Sequence, residues 1–518
     1  MIARWPALMA IALCVVALIV ADQRDRTVVP EGLSSAVERA PMPVASAPDS
    51  LGSSWYCAAG IVDPQQNNGH VIALTNPSDV PTSGRLTVFP SVADGAGGST
   101  RGEPVERLVD LPANGQQRLS IGEFISEFEP VMQAAVEINV AVLIEFDLAG
   151  IIAEHVVTSP LGADSGPCAS SAASNWYFAT STTTRGVRDL LALFNPFAGN
   201  AVVDVTFATD GGVREPGAYD GLVIPGRSVL VIDVAAVVTV NDQMSVAVEA
   251  RAGRFVAERL QFFGSEAGPR GLSVALGVSD PGLQWFFPAG RSIDQAGESY
   301  VIYNPGDRAA DIDFEVRLDA SQENGEVPPF TINVPPRQRV VVVIDDSPTH
   351  PISASATVQR GNRLPEGVGY WAAVRSFNQT PVVVEQMSSI PVQGRSGMTA
   401  VVGAPLAATR QRIAVPVTDS LRATLAVLNP AGDTISRVTV SAVGGQSGEG
   451  EELASLELSP RTRGVVDLAD IPPDALSLVI ESTTPVVAQM SAYGADAAVG
   501  SIAIPDADTT AEPALLSF

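Results

Sequence analysis

Apolar residues in this chain fall into short blocks rather than long helical stripes. Ala201-Val202-Val203-Asp204-Val205-Thr206-Phe207 and Ala310-Asp311-Ile312-Asp313-Phe314-Glu315-Val316 alternate with a period of two. That is the pattern of a strand with one face in a core and the other toward water. Glycine-rich turns such as Asp210-Gly211-Gly212 and Gly444-Gly445 separate the blocks, and long helical periods are scarce. The pattern predicts an all-β protein made of antiparallel β-sandwiches of the immunoglobulin-like kind. The Cys, Trp, Cys spacing of true immunoglobulin domains is absent, so the likeness is architectural.

The blocks repeat. An apolar run ends in Asn-Pro four times, at Asn76, Asn195, Asn304 and Asn429, in steps of 119, 109 and 125 residues. Proline disfavours a helical residue before it and the Asn side chain bonds the backbone two residues on, so a strand stops and turns there. A second proline follows 29 to 35 residues after the first, at Pro112, Pro225, Pro335 and Pro460, with Arg118, Arg227, Arg337 and Arg339, or Arg461 and Arg463 nearby. Three copies open on aromatic runs, Trp55-Tyr56-Cys57, Trp176-Tyr177-Phe178 and Trp285-Phe286-Phe287. The fourth opens on Arg412-Ile413-Ala414-Val415-Pro416 without Trp, as a terminal or differently packed unit would. The copies close on Ile151-Ile152-Ala153-Glu154, Phe255-Val256-Ala257-Glu258, Val382-Val383-Val384-Glu385 and Val486-Val487-Ala488. These landmarks divide the chain into four tandem sandwiches, 51–168, 169–278, 279–400 and 401–505, with a tail at 506–518.

Ahead of the repeats, Arg4 precedes an uncharged apolar stretch from Trp5 to Ala21, ended by Asp22, Arg24 and Asp25. Residues 1–26 therefore read as one N-terminal transmembrane signal anchor or a signal peptide, the cleavage site after Ala21 having Ile19 where a small residue is preferred. Residues 27–50, rich in Pro, Ala and Ser, read as a flexible linker. The expected location is the cell membrane, single-pass with the C-terminal region outside the cytoplasm; after cleavage the chain would be secreted. Cys14 lies in the apolar stretch, which leaves Cys57 and Cys168, and an even pair in an exported chain reads first as a disulfide. Closing the loop of 111 residues between them stabilises by about 4–5 kcal/mol in the chain-entropy picture.

The 57 acidic against 31 basic residues, a net charge of −26 without a basic cluster, exclude a nucleic-acid partner by repulsion from phosphate. The apolar leader, aromatic openings, Asn-Pro turns and the Phe255-Val256-Ala257-Glu258-Arg259-Leu260-Gln261-Phe262-Phe263 type of closing strand together resemble a domain-of-unknown-function family. Its members are exported proteins of high-GC Gram-positive bacteria. The resemblance implies an envelope-associated protein outside the cytoplasm and carries no catalytic residues.

Candidate chemistry is sparse. His70, His155 and His350 do not repeat at equivalent positions, and no nucleophile elbow or zinc-protease helix is present. Glu154, Glu258 and Glu385 recur, but glycoside hydrolysis needs two carboxylates about 5–10 Å apart, and equivalent positions in separate units do not supply that. An outward-facing Glu, or one paired with the Arg beside the second proline (Arg227 in unit two), is the expectation. Asp311 with Asp313 and Asp506 with Asp508 are weak calcium candidates. Gly95-Ala96-Gly97-Gly98 and Gly367-Val368-Gly369 lack the strand-to-helix setting of a nucleotide loop. Tyr370-Trp371 in the third unit is either an exposed ligand platform or part of a core. The sequence thus leads to a non-catalytic envelope scaffold or adhesion-type interaction protein, with a glycan-binding accessory as the alternative and a glycan-active enzyme as a distant one. Neither a metal nor a small-molecule cofactor is expected. The expected partners are an envelope protein or a cell-surface glycan, and the membrane through the N-terminal helix.

Overall fold

A computed structural model of the chain describes residues 41–511 apart from 64–68, 94–98, 265–269, 292–296, 320–328, 345–357, 361–363, 365–366, 393–394, 416–421, 445–449, 470, 473–474 and 495–497. The apolar leader, most of the linker, Gly95–Gly98, His350 and the end of the tail lie outside the described residues. Among the described residues no helix is long and apolar enough to cross a membrane.

Nearly all ladders are antiparallel, and they form four two-sheet units. In the first, an opening strand Ser53–Val62 pairs with Ile138–Phe146, which pairs with Thr82–Ala93. The facing sheet runs Gln116–Ser120, the Asn-Pro strand Gly69–Thr75, the closing strand Ile152–Ser159 and an exit strand Gly162–Pro167. The second unit repeats the order with opening strand Asn175–Ser181, Asn-Pro strand Val187–Asn195, closing strand Val256–Gly264 and exit strand Arg270–Leu276. The third uses Gln284–Arg291, Gly297–Asn304, Val383–Val392 and Arg395–Val402, and its Gln338–Val343 carries a short parallel neighbour, Val358–Arg360. In the fourth, one strand, Ala475–Tyr493, passes from one sheet into the other, pairing first with the opening strand Ala407–Ala414 and then with the Asn-Pro strand Arg422–Asn429.

The recurring motifs are hydrogen-bond devices. Each Asn after the apolar run is buried and bonds across its unit to the second-proline turn. Asn304 Nδ2 donates to the carbonyls of Arg308, Val334 and Pro335, while its Oδ1 accepts from Gly306 N. Asn76, Asn195 and Asn429 do the same to Pro112, Ile224 and Leu458. The interval of about 30 residues is the loop that this side chain spans. Beyond the second proline, Asn114, Arg227, Arg337 and Arg461 all hold positive φ, between 47° and 55°. There the amides of Arg227, Arg337 and Arg461 donate to the Phe197, Gly306 and Ala431 carbonyls.

The tryptophans tie each opening strand to its own closing strand: Trp55, Trp176 and Trp285 donate Nε1–H to the carbonyls of Ile151, Phe255 and Val382. In the fourth unit Gln411 Nε2 donates to Val486 O, the equivalent carbonyl. An amide thus replaces the missing indole as donor, at the same position in the strand register.

The units do not form a rod. Residues from Ala40 onward make one compact body, and apolar cores cross the unit boundaries. Phe89 of the first unit packs in one cluster with Phe194 of the second, and Phe263 of the second clusters with Tyr300 of the third. The fourth unit returns to the first, where Arg118 Nη2 donates to Val415 O at 2.5 Å and Gln116 bonds Ser477. Ala45, ahead of the first strand, donates to Pro505 O at 2.9 Å. The array is therefore a closed ring of four.

Asn304→Ala is expected to lower stability by about 1–3 kcal/mol, because it takes this donor from the buried Val334 carbonyl. Arg337→Gly, which relieves a left-handed backbone at an exposed position, is expected to be neutral or stabilising. Urea midpoints of the two variants against the parent check both.

Candidate functional site

Each opening strand in the first three units carries a bulge. Its ladder skips register between Cys57 and Gly60, between Phe178 and Ser181, and between Phe287 and Gly290. A bulge leaves backbone groups without a ladder partner, and in this ring the next unit supplies one. Ala59 N donates to Glu258 Oε2 at 2.6 Å, Ala179 N to Glu385 Oε1 at 2.7 Å, and Ala289 N to Gln489 Oε1 at 3.0 Å. Ala414 N of the fourth unit donates to Glu154 of the first, closing the circle. The recurring carboxylates are thus buried at the seams. The expectation that they face outward is overturned; of the second-proline arginines, Arg118 acts on Glu154 through its charge. Arg227 instead lies 3.6 Å from Glu106 on the neighbouring unit, and Arg337 and Arg461 reach Glu215 and Glu315 in the same way.

The residue after each seam group completes the contact one unit on. His155 Nε2 lies 3.7 Å from Glu258, Arg259 Nη2 3.0 Å from Glu385 Oε2, and Gln489 Nε2 donates to Gln386 Oε1 at 3.0 Å. The pairs change together: a carboxylate where the neighbour is His or Arg, an amide where it is an amide. Burial pushes the carboxyls of Glu154 and Glu258 up to about 8 and the His155 imidazole down to about 4. His70, buried against His155 at 3.1 Å, is also lowered by burial and by His155. Gly60 makes room for the His70 ring, which a Cβ would meet at 2.0 Å.

The four exit strands meet at the centre of the ring. Asp164 is fully buried there and accepts from Val274 N at 2.9 Å, Gly500 N at 3.3 Å and Thr399 Oγ1 at 3.5 Å, one donor from each other unit. Burial raises its carboxyl well above the usual range. Nothing in the repeat landmarks points to Asp164, because its equivalents in the register of the exit strands are Ser273, Thr399 and Val499.

The two cysteines form a disulfide, Cys57–Cys168, with a Cα–Cα distance of 4.6 Å. Tyr370 and Trp371 are not an exposed platform: they are 0% and 2% exposed on the strand Gly369–Ser376. Alternation sends Tyr370 into the third unit's core, while Trp371 clusters with Phe286 and with Ala407, Leu428 and Val487 of the fourth unit. Asp311 bonds Asn333 and Asp506 bonds Arg412. Among the described residues no group of three or more His, Cys, Asp or Glu could hold a metal ion.

Two clefts of similar size open at seams. One, about 350 Å³, lies between the second and third units and is lined by Asp204, Asp220, Glu249, Arg251, Tyr303 and Arg337. The other, about 360 Å³, lies between the third and fourth and is lined by Glu298, Asp319, Arg463, Gln489, Ser491 and Tyr493, among others. Sequence reading missed Glu298. It is buried, accepts from Arg291 N at 3.2 Å and from the Tyr370 hydroxyl, and is pushed up to about 7 by burial. Gln489 was legible only by aligning the fourth closing strand with the other three.

Residues 158–414 match DUF5719, a family of unknown function. That span runs from the first unit's closing strand to the end of the fourth unit's opening strand. No curated protein sequence matches the chain. The crystal structure of Thermotoga maritima 1070 is similar at 18% identity over 24% of this chain and 93% of its own, with a TM-score of 0.18.

Two outcomes follow from the seams. Arg259→Gln alone strips a buried carboxylate of its cation and is expected to cost about 3–5 kcal/mol. Arg259→Gln with Glu385→Gln copies the Gln386–Gln489 pair and is expected to recover most of that loss, as urea midpoints of the two variants will show. Folding raises Glu154 and Glu258 from 4.5 to about 8, so the folded state holds protons that the unfolded state releases, and stability is lost as pH rises through that window. The lowered His155 contributes fully above 6.5 and is lost only below it. Stability should therefore fall between about pH 6.5 and 8, and by less in Glu258→Gln, in melting temperatures taken across that range.

Proposed function

We propose that the chain is a non-catalytic scaffold or adhesion-type interaction protein of the cell envelope, built of four immunoglobulin-like sandwiches and held outside the cytoplasm by its N-terminal helix. The observation that carries this reading is that the repeated carboxylates are committed to backbone amides of neighbouring units. Their recurrence is thus accounted for by assembly of the ring, without a reaction. A closed ring offers four differently decorated edges on one stiff body, which suits binding of other macromolecules. A net charge of −26 favours a partner with a basic face through long-range attraction. The disulfide favours an oxidising compartment.

A second reading, a glycan-binding accessory of the envelope, is favoured by the cleft between the third and fourth units. It no longer rests on Tyr370 or Trp371 as contacts.

In cells that make the protein, Cys57 and Cys168 should resist alkylation until reduced, and a membrane-impermeant crosslinker should join the chain to an envelope protein. Freely alkylated thiols, or turnover of a cell-wall glycan by the purified chain, would overturn the scaffold reading.

A further inference from the structure

We propose that the cleft between the third and fourth units binds a neutral, polyhydroxylated ligand the size of a mono- or disaccharide. The proposal deepens the second reading and is independent of the scaffold reading. At about 360 Å³ the cleft lies within the range of small-molecule sites, roughly 300–1,000 Å³.

One wall of the cleft is backed by a continuous hydrogen-bonded chain that fixes its polar groups before any ligand arrives. Ala289 N donates to Gln489, Gln489 Nε2 to Gln386 Oε1, and Gln386 Nε2 to the Tyr300 hydroxyl at 3.2 Å. Tyr300 and Tyr370 hydroxyls lie 3.5 Å apart, and Tyr370 donates to Glu298. The other wall is Arg463, whose Nε and Nη2 donate to Asp319 at 2.7 and 3.1 Å and whose Nη1 donates to Pro288 O at 2.5 Å. Groups held this rigidly lose little entropy on binding, which is what small polar ligands need.

The balance of charge selects the ligand class. Arg463 is already matched by Asp319, and the second lining cation, Arg291, which donates to the Tyr493 hydroxyl at 3.5 Å, is offset in number by the lining carboxylate Asp467. Burial keeps the Glu298 carboxyl protonatable near neutrality. With two arginines against Asp319 and Asp467, the lining carries no excess of one sign to select a strong anion or cation. Carboxyl, amide, guanidinium and hydroxyl groups together both accept and donate, the set that sugar hydroxyls use.

Glycines let the groups that build the walls pack against the backbone. A Cβ on Gly290 would meet the Tyr370 ring at 2.4 Å, and one on Gly369 would meet Asp319 Oδ2 at 2.1 Å and Arg463 Nη2 at 2.2 Å. The seam itself differs from two of its equivalents: where they hold Glu258 beside His155 and Glu385 beside Arg259, this one holds the neutral pair Gln386–Gln489.

The test is calorimetric titration of the full, disulfide-bonded chain with methyl glucoside, methyl mannoside, N-acetylglucosamine, maltose and cellobiose. At least one is expected to bind saturably. Val465, 47% exposed on the rim, is the blocking position. Val465→Trp should weaken that binding at least tenfold without changing the melting temperature, and Glu298→Gln should also weaken it. If Val465→Trp lowers the melting temperature, Ser491→Tyr serves as the block. Absence of saturable binding to every probe, binding unchanged by the block, or saturable binding of calcium chloride or phosphate alone would overturn the proposal. None of these results would alter crosslinking to an envelope protein, so the two readings fail separately.

Discussion

The ring depends on an unmet backbone demand. A bulge in an antiparallel strand leaves amide groups pointing away from the ladder, and a buried amide without an acceptor costs about 1–3 kcal/mol. The first three opening strands carry such a bulge, and in each case the acceptor comes from the following unit. No unit satisfies itself, so folding and ring assembly are one process. The same demand explains why a carboxylate was kept at a fully buried position, where its desolvation would otherwise exclude it.

Around that constraint the seams vary within a chemical rule. Glu385 at one seam has the Arg259 guanidinium, Gln489 at another has an amide, and Glu258 lies near the imidazole of His155. What is preserved at all four seams is an acceptor for the amide, and at three of them it has a polar partner from the preceding closing strand. At the centre the rule is relaxed further: four equivalent positions hold Asp164, Ser273, Thr399 and Val499, and of these only the Asp bonds all three neighbouring units. One carboxylate at the axis serves all four units, because a second one beside it would place like charges together in a dry interior.

The seam between the third and fourth units shows how a repeat can acquire individuality. Replacing the charged pair by Gln386–Gln489 leaves the bulge amide satisfied, while Glu298, Tyr300 and Tyr370 extend the network to the wall of a cleft. Tyr370 is buried, yet its hydroxyl positions the carboxyl that lines the cavity. The pair singled out from sequence thus bears on the site through one ring's hydrogen bond, while Trp371 serves the seam between units.

Local rules made much of the architecture readable in advance. Period-two alternation over Ala201–Phe207 and Ala310–Val316 identified strands, because alternation records which face is buried. The Asn-Pro repeat identified four copies, because proline and asparagine act on their own backbone neighbours, and the even pair of cysteines identified the disulfide. Tertiary structure alone decided the rest. That Glu154, Glu258 and Glu385 face inward could not be read from one strand, since the bulge amides that hold them lie about 200 to 260 residues away. That Gln411 stands in for a tryptophan, and that Asp164 joins all four units, are likewise facts of closure. The sequence by itself determined the unit and its count, through interactions a few residues in range; only the closed ring determined what each unit's polar groups are for, because their partners belong to the next unit.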